Sequence, residues 1–180
     1  RSELFAARNP SVAMSTATGF ELTNVAAGPD PLSLRETAAD HDFVLLLFQR
    51  DYHCGNCRSQ VQAFADRYDD FEARNAEIVS IVPEPPDRLR DWQAEYDLPF
   101  PLCADPDAET SSAYDQPVRF GLLGSLSDLL GRMPKAVLLD TRGDSPTVVY
   151  THEGSSTWDR PEIEEILGEI EDSRDETHGT

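Results

Sequence analysis

An α/β fold, with a central mixed sheet and helices on both of its faces, is predicted by three features of this 180-residue chain. Residues 43–48 and 136–139 are continuously apolar and 78–82 is apolar except for Ser80, as expected of strands covered on both sides. Several segments between these runs carry apolar residues at spacings of three and four, the mark of helices with one buried stripe. The two kinds of element alternate as β-α-β-α-β-α-β-β-α, which places helices on both faces of one sheet.

Taken in order, residues 1–18 are small and polar without a period, and a flexible N-terminal extension is expected there; Met14 is a candidate initiator, the alternative being a chain cut from a longer precursor. Residues 20–25 alternate apolar and polar. The turn Gly28-Pro29-Asp30-Pro31 then leads into residues 32–34, giving an N-terminal β-hairpin. The buried strand at 43–48 follows. From Cys57 onward Val61, Phe64, Tyr68 and Phe71 define one amphipathic helix. The strand at 78–82 is stopped by Pro83, Pro85 and Pro86. Residues 87–96 form a helix with Leu89, Trp92 and Tyr96 on one face, and a short strand at 101–104 and a helix at 108–114 follow it. Residues 122–130 are expected to be a helix weakened by neighbouring glycines. The strand at 136–139 turns at 140–143 into a hairpin partner at 148–150. A last helix starts at Arg160-Pro161, proline suiting its first turn, and buries Ile163, Ile166, Leu167 and Ile170. Residues 171–180 are expected to be a disordered acidic tail, which leaves one domain over 19–170.

The chain holds 34 acidic and 15 basic residues, a net charge of −19, and Lys135 is its single lysine. Such a field repels nucleic acid and anionic membranes, so neither is expected as a partner. The longest continuous apolar run has six residues, too few to cross a bilayer. No basic region followed by an apolar block opens the chain, and a cytoplasmic location is expected. Aspartate-rich, lysine-poor composition resembles that of proteins from salt-in halophiles. The expectation is a fold that molar salt stabilises by screening self-repulsion.

Three cysteines make an odd count, unsuited to an extracellular disulfide framework. Cys54 and Cys57 enclose only Gly55-Asn56 and sit where the strand at 43–48 feeds its helix. Unpaired backbone N–H groups and the helix dipole favour an anion there. A free thiol near pKa 8.5 is a few per cent ionised at neutral pH, whereas helix N-termini and the CxxC spacing lower that value to about 7 or below. His53 and Arg58 are candidates for added cationic support. The two-residue spacer lets one sulfur reach the other and close a reversible bridge. Two other readings stand beside this one: buried core cysteines, or a zinc site with Cys103 and His53. A structural zinc site usually carries a second paired ligand motif, which is missing, so no metal or cofactor is expected. Cys103 lies on an expected strand, as a small core residue or, if exposed, as a third redox thiol.

The segment Phe48-Gln-Arg-Asp-Tyr-His-Cys-Gly-Asn-Cys57 resembles the active site of peroxiredoxin-like proteins of the alkyl hydroperoxide reductase and thiol-specific antioxidant group, in the thioredoxin superfamily. Gly19-Phe-Glu-Leu-Thr-Asn-Val25 with Leu32-Ser-Leu34 is similar to their N-terminal hairpin. Leu98-Pro-Phe-Pro-Leu-Cys-Ala-Asp-Pro-Asp107 with Tyr114 resembles their middle strand and helix. Met133-Pro-Lys-Ala-Val-Leu-Leu-Asp140 with Gly143 resembles the segment that carries the superfamily's cis-proline. The resemblance runs over about residues 19–170 and implies a thioredoxin-like fold.

Its departures bear on function. The family motif is Pro-x-x-x-Thr-x-x-Cys, with the peroxide-attacking cysteine last. Cys57 takes that position, Cys54 replaces the threonine and Arg50 the proline. Peroxiredoxins tend to carry a peroxide-polarising arginine where this chain has Pro134, which is similar to the substrate-facing cis-proline of thioredoxins. Arg119, Arg132 and Lys135 are candidates for the missing positive charge.

The resemblance implies an antioxidant thiol oxidoreductase cycling a Cys54–Cys57 dithiol and disulfide. Its implied substrates are peroxides or oxidised proteins, its implied donor a dithiol reductant such as a thioredoxin system, and oligomers are frequent in the family. Thioredoxin usage makes Cys54 the attacking thiol; peroxiredoxin usage makes it Cys57. The alternative class is a non-catalytic thioredoxin-fold module whose cysteines are structural or bind metal.

Overall fold

The computed structural model of the protein describes residues 17, 19–116 and 132–177. In chain order its strands are β1 (Glu21–Asn24), β2 (Leu32–Ser33), β3 (Phe43–Phe48), β4 (Ala76–Val82), β5 (Leu102–Ala104), β6 (Lys135–Asp140) and β7 (Thr147–Glu153). The helices are α1 (Leu34–Asp40), α2 (Gly55–Asp66), α3 (Tyr68–Glu72), α4 (Pro86–Tyr96), α5 (Glu109–Ala113) and α6 (Ile163–Thr177).

The strands form one mixed sheet in the order β2-β1-β5-β4-β3-β6-β7. Strands β3, β4 and β5 run parallel, as segments joined through helices do, and β6 returns antiparallel to β3. The β6–β7 and β1–β2 pairs are antiparallel hairpins. Side chains alternate across β3 and divide the interior in two. Phe43, Leu45 and Leu47 join one core with Val61 and Phe64 of α2, Phe71 of α3, Leu89 and Trp92 of α4, and Ile166, Leu167 and Ile170 of α6. Val44, Leu46 and Phe48 join the opposite core with Leu34, Cys103 and Tyr114. The mixed sheet, the helices on both faces and the N-terminal hairpin expected from the sequence are all present.

Four expectations are corrected. Leu34 does not extend a strand but opens α1, whose N-cap Ser33 accepts the backbone N–H of Glu36. The single helix expected through Phe71 breaks at Arg67. The break lets the Tyr68 hydroxyl reach Glu77 while Phe71 stays packed on Phe64. The last helix starts at Ile163, with Pro161 buried ahead of its first turn. It then runs to Thr177 through residues expected to be disordered, because the sheet end anchors it: Arg174 pairs with Asp42, and Arg142 donates to the Ser173 carbonyl at 2.8 Å. The expected helix at 122–130 and nearly all of the expected N-terminal extension lie outside the described residues. No helix among the described residues is long and apolar enough to cross a membrane.

Candidate active site

Strand β3 ends at Phe48, and residues 49–54 must then cross from the sheet to the first turn of α2. Buried polar contacts fix this crossing. The Gln49 N–H donates to the Ile81 carbonyl, and its side-chain amide donates to Ser80 Oγ at 3.3 Å. Gln116 Nε2 donates to the carbonyls of both Gln49 and Met133. The Tyr52 N–H donates to the buried Glu84 carboxylate at 3.1 Å, and the His53 N–H to Asp51 Oδ1 at 2.8 Å. With the N–H groups of Gln49, Tyr52 and His53 occupied, the loop delivers Cys54 to the N-cap of α2.

Cys54 and Cys57 are joined as a disulfide. The Cys57 N–H donates to Cys54 Sγ at 3.1 Å, so sulfur does the capping work usually done by a side-chain oxygen. The Arg50 N–H donates to Cys57 Sγ at 3.4 Å. The two sulfurs differ in access: Cys57 is 0% exposed and Cys54 6%.

A guanidinium from far along the chain completes the site. Arg160 Nη2 donates to Cys57 Sγ at 3.2 Å and to Cys54 Sγ at 3.6 Å. Its Nη1 is held by Gln60 Oε1 at 2.6 Å and Gln49 Oε1 at 3.4 Å, and its Nε by the Thr157 carbonyl at 3.2 Å. Burial, with repulsion from Arg50 in second place, pulls its pKa down to about 10. The group still carries its charge at neutral pH. A cation placed against both sulfurs favours whichever sulfur becomes anionic when the bridge opens. Arg160 was expected only to open a helix. It lies 103 residues from Cys57 with no motif linking them, and its spacing gives no signal of the role.

The residues picked from the sequence divide clearly. Cys54 and Cys57 meet as expected. Arg58 sits one residue on, but its guanidinium turns to the Tyr52 carbonyl, the Tyr96 hydroxyl and the faces of Tyr52 and Trp92. It braces the loop and α4 rather than the sulfurs. His53 is exposed and rests edge-on against Tyr52. Met133–Pro134 is trans; among the described residues the cis bond is Asp30–Pro31. The Pro134 carbonyl accepts the Gly154 N–H at 2.9 Å, which continues the β6–β7 ladder past Lys135 and Glu153.

Among the cations considered for the missing charge, Lys135 is occupied by Glu153 at 2.9 Å and the Asp115 carbonyl. Arg132 is buried, and Arg119 lies outside the described residues. Arg50 Nε lies 3.1 Å from Asp51 Oδ2. Cys103 is fully buried in the core on the other sheet face, where burial pushes its thiol pKa far up. That position separates it from the cysteine pair and from the exposed His53 with which a zinc site would need to unite it.

Comparison with known proteins adds a family. The sequence profile of the AhpC/TSA family matches residues 14–144. Two Mycobacterium tuberculosis proteins provisionally named peroxiredoxins are 31% identical over 71 residues, 39% of this chain; the match spans 45% of their own length. Among solved structures, peroxidoxin BcpB from Mycobacterium tuberculosis superposes with a TM-score of 0.73 at 18% identity, over 88% of this chain and 96% of that one. A reduced 2-Cys peroxiredoxin of Plasmodium vivax gives 0.74 at 18% identity, over 93% and 99%. At these identities the superpositions establish the thioredoxin-like fold.

Proposed function

The chain belongs to the AhpC/TSA family, and on that premise we propose that it is a thiol-dependent peroxidase in which Cys57 attacks the peroxide and Cys54 resolves the product. The carrying observation is the Arg160 guanidinium, which lies nearer Cys57 Sγ than Cys54 Sγ. It supplies the charge that the family's arginine would bring to the place held here by Pro134.

The cycle follows from the chemistry of the pair. The Cys57 thiolate attacks the distal oxygen of a hydroperoxide ROOH. The O–O bond breaks, RO⁻ leaves and takes a proton as ROH, and Cys57 becomes a sulfenic acid. Arg160 N–H groups stabilise the thiolate beforehand and the charge that develops on the leaving oxygen. The Cys54 thiol then attacks the Cys57 sulfur, and water leaves as the disulfide forms. A dithiol reductant attacks the more exposed Cys54 sulfur and expels Cys57 as a thiolate, which the Arg50 N–H and Arg160 receive. A second attack by the reductant frees Cys54 and leaves the reductant as a disulfide. A stabilised thiolate leaves fastest, so the group that makes Cys57 a good nucleophile also makes it a good leaving group.

One observation favours a second reading. Cys54 is the more exposed sulfur and caps the helix, as suits a thiol that attacks protein disulfides. Turnover assays with single serine variants separate the two. In the peroxidase reading Cys57→Ser abolishes peroxide consumption, and Cys54→Ser retains a single turnover. If Cys57→Ser still consumes peroxide at the parent rate, or traps protein disulfides while Cys54→Ser does neither, the second reading replaces the first.

A further inference from the structure

The segment that brings Arg160 to the sulfurs is the first seven residues, Gly154 to Arg160, of the connection between β7 and α6. Isolated backbone and side-chain hydrogen bonds rather than regular structure hold it. The Gly154 N–H donates to the Pro134 carbonyl, and the Asp159 N–H donates to the Ser156 carbonyl at 3.2 Å. The centre of the crossing is the Asp159 carboxylate. Oδ1 lies 2.9 Å from His152 Nε2 on β7, while Oδ2 accepts both the N–H and the hydroxyl of Ser155, each at 2.8 Å. These bonds hold its pKa below the ordinary carboxylate range, the Ser155 backbone bond contributing most. The crossing fits closely against the sheet: a Cβ on Gly154 would fall 2.7 Å from both the Asp159 carbonyl oxygen and Pro134 Cγ.

We propose that Asp159 is the positioning residue for Arg160, tying the neighbouring backbone to β7 so that the guanidinium lies across Cys57 and Cys54. The inference rests on the reading of Cys57 as the peroxide-attacking thiol. Adjacent Cα atoms are about 3.8 Å apart, so a drift of Asp159 carries the Arg160 backbone with it. The guanidinium has little freedom to compensate. Its Nε is bound to Thr157 within the same crossing, and Nη1 is held by Gln60 and Gln49. The donor to sulfur at 3.2 Å therefore depends on where the crossing sets the Arg160 Cα. Two carboxylate oxygens serve three donors here, which alanine cannot do and asparagine does only in part.

The test is the pH profile of Cys57 alkylation by iodoacetamide. It is measured on the reduced full chain carrying Cys54→Ser, so that Cys57 is the exchangeable thiol at the site. In that background Arg160→Gln raises the midpoint and defines the full loss of the guanidinium. Asp159→Ala is expected to raise it by about one pH unit, a tenfold loss of thiolate on the acid side, and Asp159→Asn to recover part of that shift. Adding Asp159→Ala to Arg160→Gln is expected to shift the midpoint no further, because the carboxylate acts through the arginine. A purely structural role would change melting temperature without this pattern. Should Asp159→Ala fail to fold, Ser155→Ala removes one of the three bonds at an exposed position and is expected to give a smaller shift of the same sign. The positioning role is overturned if the Asp159 and Ser155 variants leave the midpoint where the parent has it while Arg160→Gln moves it, or if the two effects add. If Arg160→Gln itself moves nothing, the peroxidase reading is what fails, and this inference falls with it.

Discussion

Arg160→Gln removes the cation from both sulfurs while keeping a polar amide near the position of Nε, which the Thr157 carbonyl accepts in the parent. Two unit charges 3.2 Å apart attract by about 5 kcal/mol at an effective dielectric constant near 20. Desolvation of the arginine, evident in its lowered pKa, opposes much of that attraction. What remains is the range for a hydrogen bond to a charged group, about 1.5–3 kcal/mol. That range corresponds to a rise of one to two pH units in the Cys57 thiol, since one unit equals about 1.4 kcal/mol. The assay is second-order consumption of hydrogen peroxide with a dithiol donor in excess, followed from pH 5.5 to 9.5. At the acid end the variant is expected to be ten- to a hundredfold slower. Near pH 9.5 both proteins hold mostly thiolate, the gap narrows, and what is left reports the polarisation of the leaving oxygen. Parent and variant rates within twofold of each other across the whole range would refute the reasoning.

Three other substitutions probe the frame around the site. Cys103→Ala removes a buried sulfur on the far sheet face; the expected loss is about 1 kcal/mol of stability, read as a melting-temperature drop of about 2–4 °C, with peroxide turnover unchanged, and a collapse of turnover would return Cys103 to the redox cycle. Gly154→Ala drives a methyl group into Pro134 and the Asp159 carbonyl, with an expected cost of about 1–3 kcal/mol and slower peroxide reduction; parent-like stability and rate would contradict the close fit. Glu77→Gln tests a part-buried carboxyl whose pKa is raised chiefly by desolvation. The folded state keeps that proton above the ordinary glutamate value of about 4.3, so stability falls as pH rises through the interval up to the folded value. Thermal melts from pH 4 to 8 are expected to show the variant gaining on the parent across that interval, whereas a constant difference would exclude the linkage.

The sheet was legible because its strands announce themselves. The run at 43–48 is buried on both faces, and 78–82 and 136–139 have the same character. The cysteine pair was legible because its chemistry is local: two thiols, a two-residue spacer and a following helix. Helix α1 is not legible in the sequence although Ser33 and Glu36 carry a capping-box spacing, since seven residues offer too short a period against a strand-like Leu32-Ser33-Leu34. The break at Arg67 has no glycine or proline to mark it, and the apolar spacing runs straight through it. Arg160 lies beyond sequence reasoning for a different reason. Its role arises from the antiparallel return of β6 and β7, which brings a loop 100 residues downstream beside the first turn of α2. That α6 continues to Thr177 is not legible in the sequence, because Arg174 and Ser173 find their partners only across the folded end of the sheet.

The most direct test of the central claim is to locate the first oxidation. The Cys54→Ser protein is reduced and mixed with one equivalent of hydrogen peroxide. It is trapped within the first turnover by a sulfenic-acid reagent and mapped by peptide mass spectrometry. The account predicts the adduct on Cys57, and in the parent protein an internal Cys54–Cys57 disulfide with no adduct. An unmodified Cys57 in that variant, together with a sulfenic adduct on Cys54 in Cys57→Ser, would contradict it.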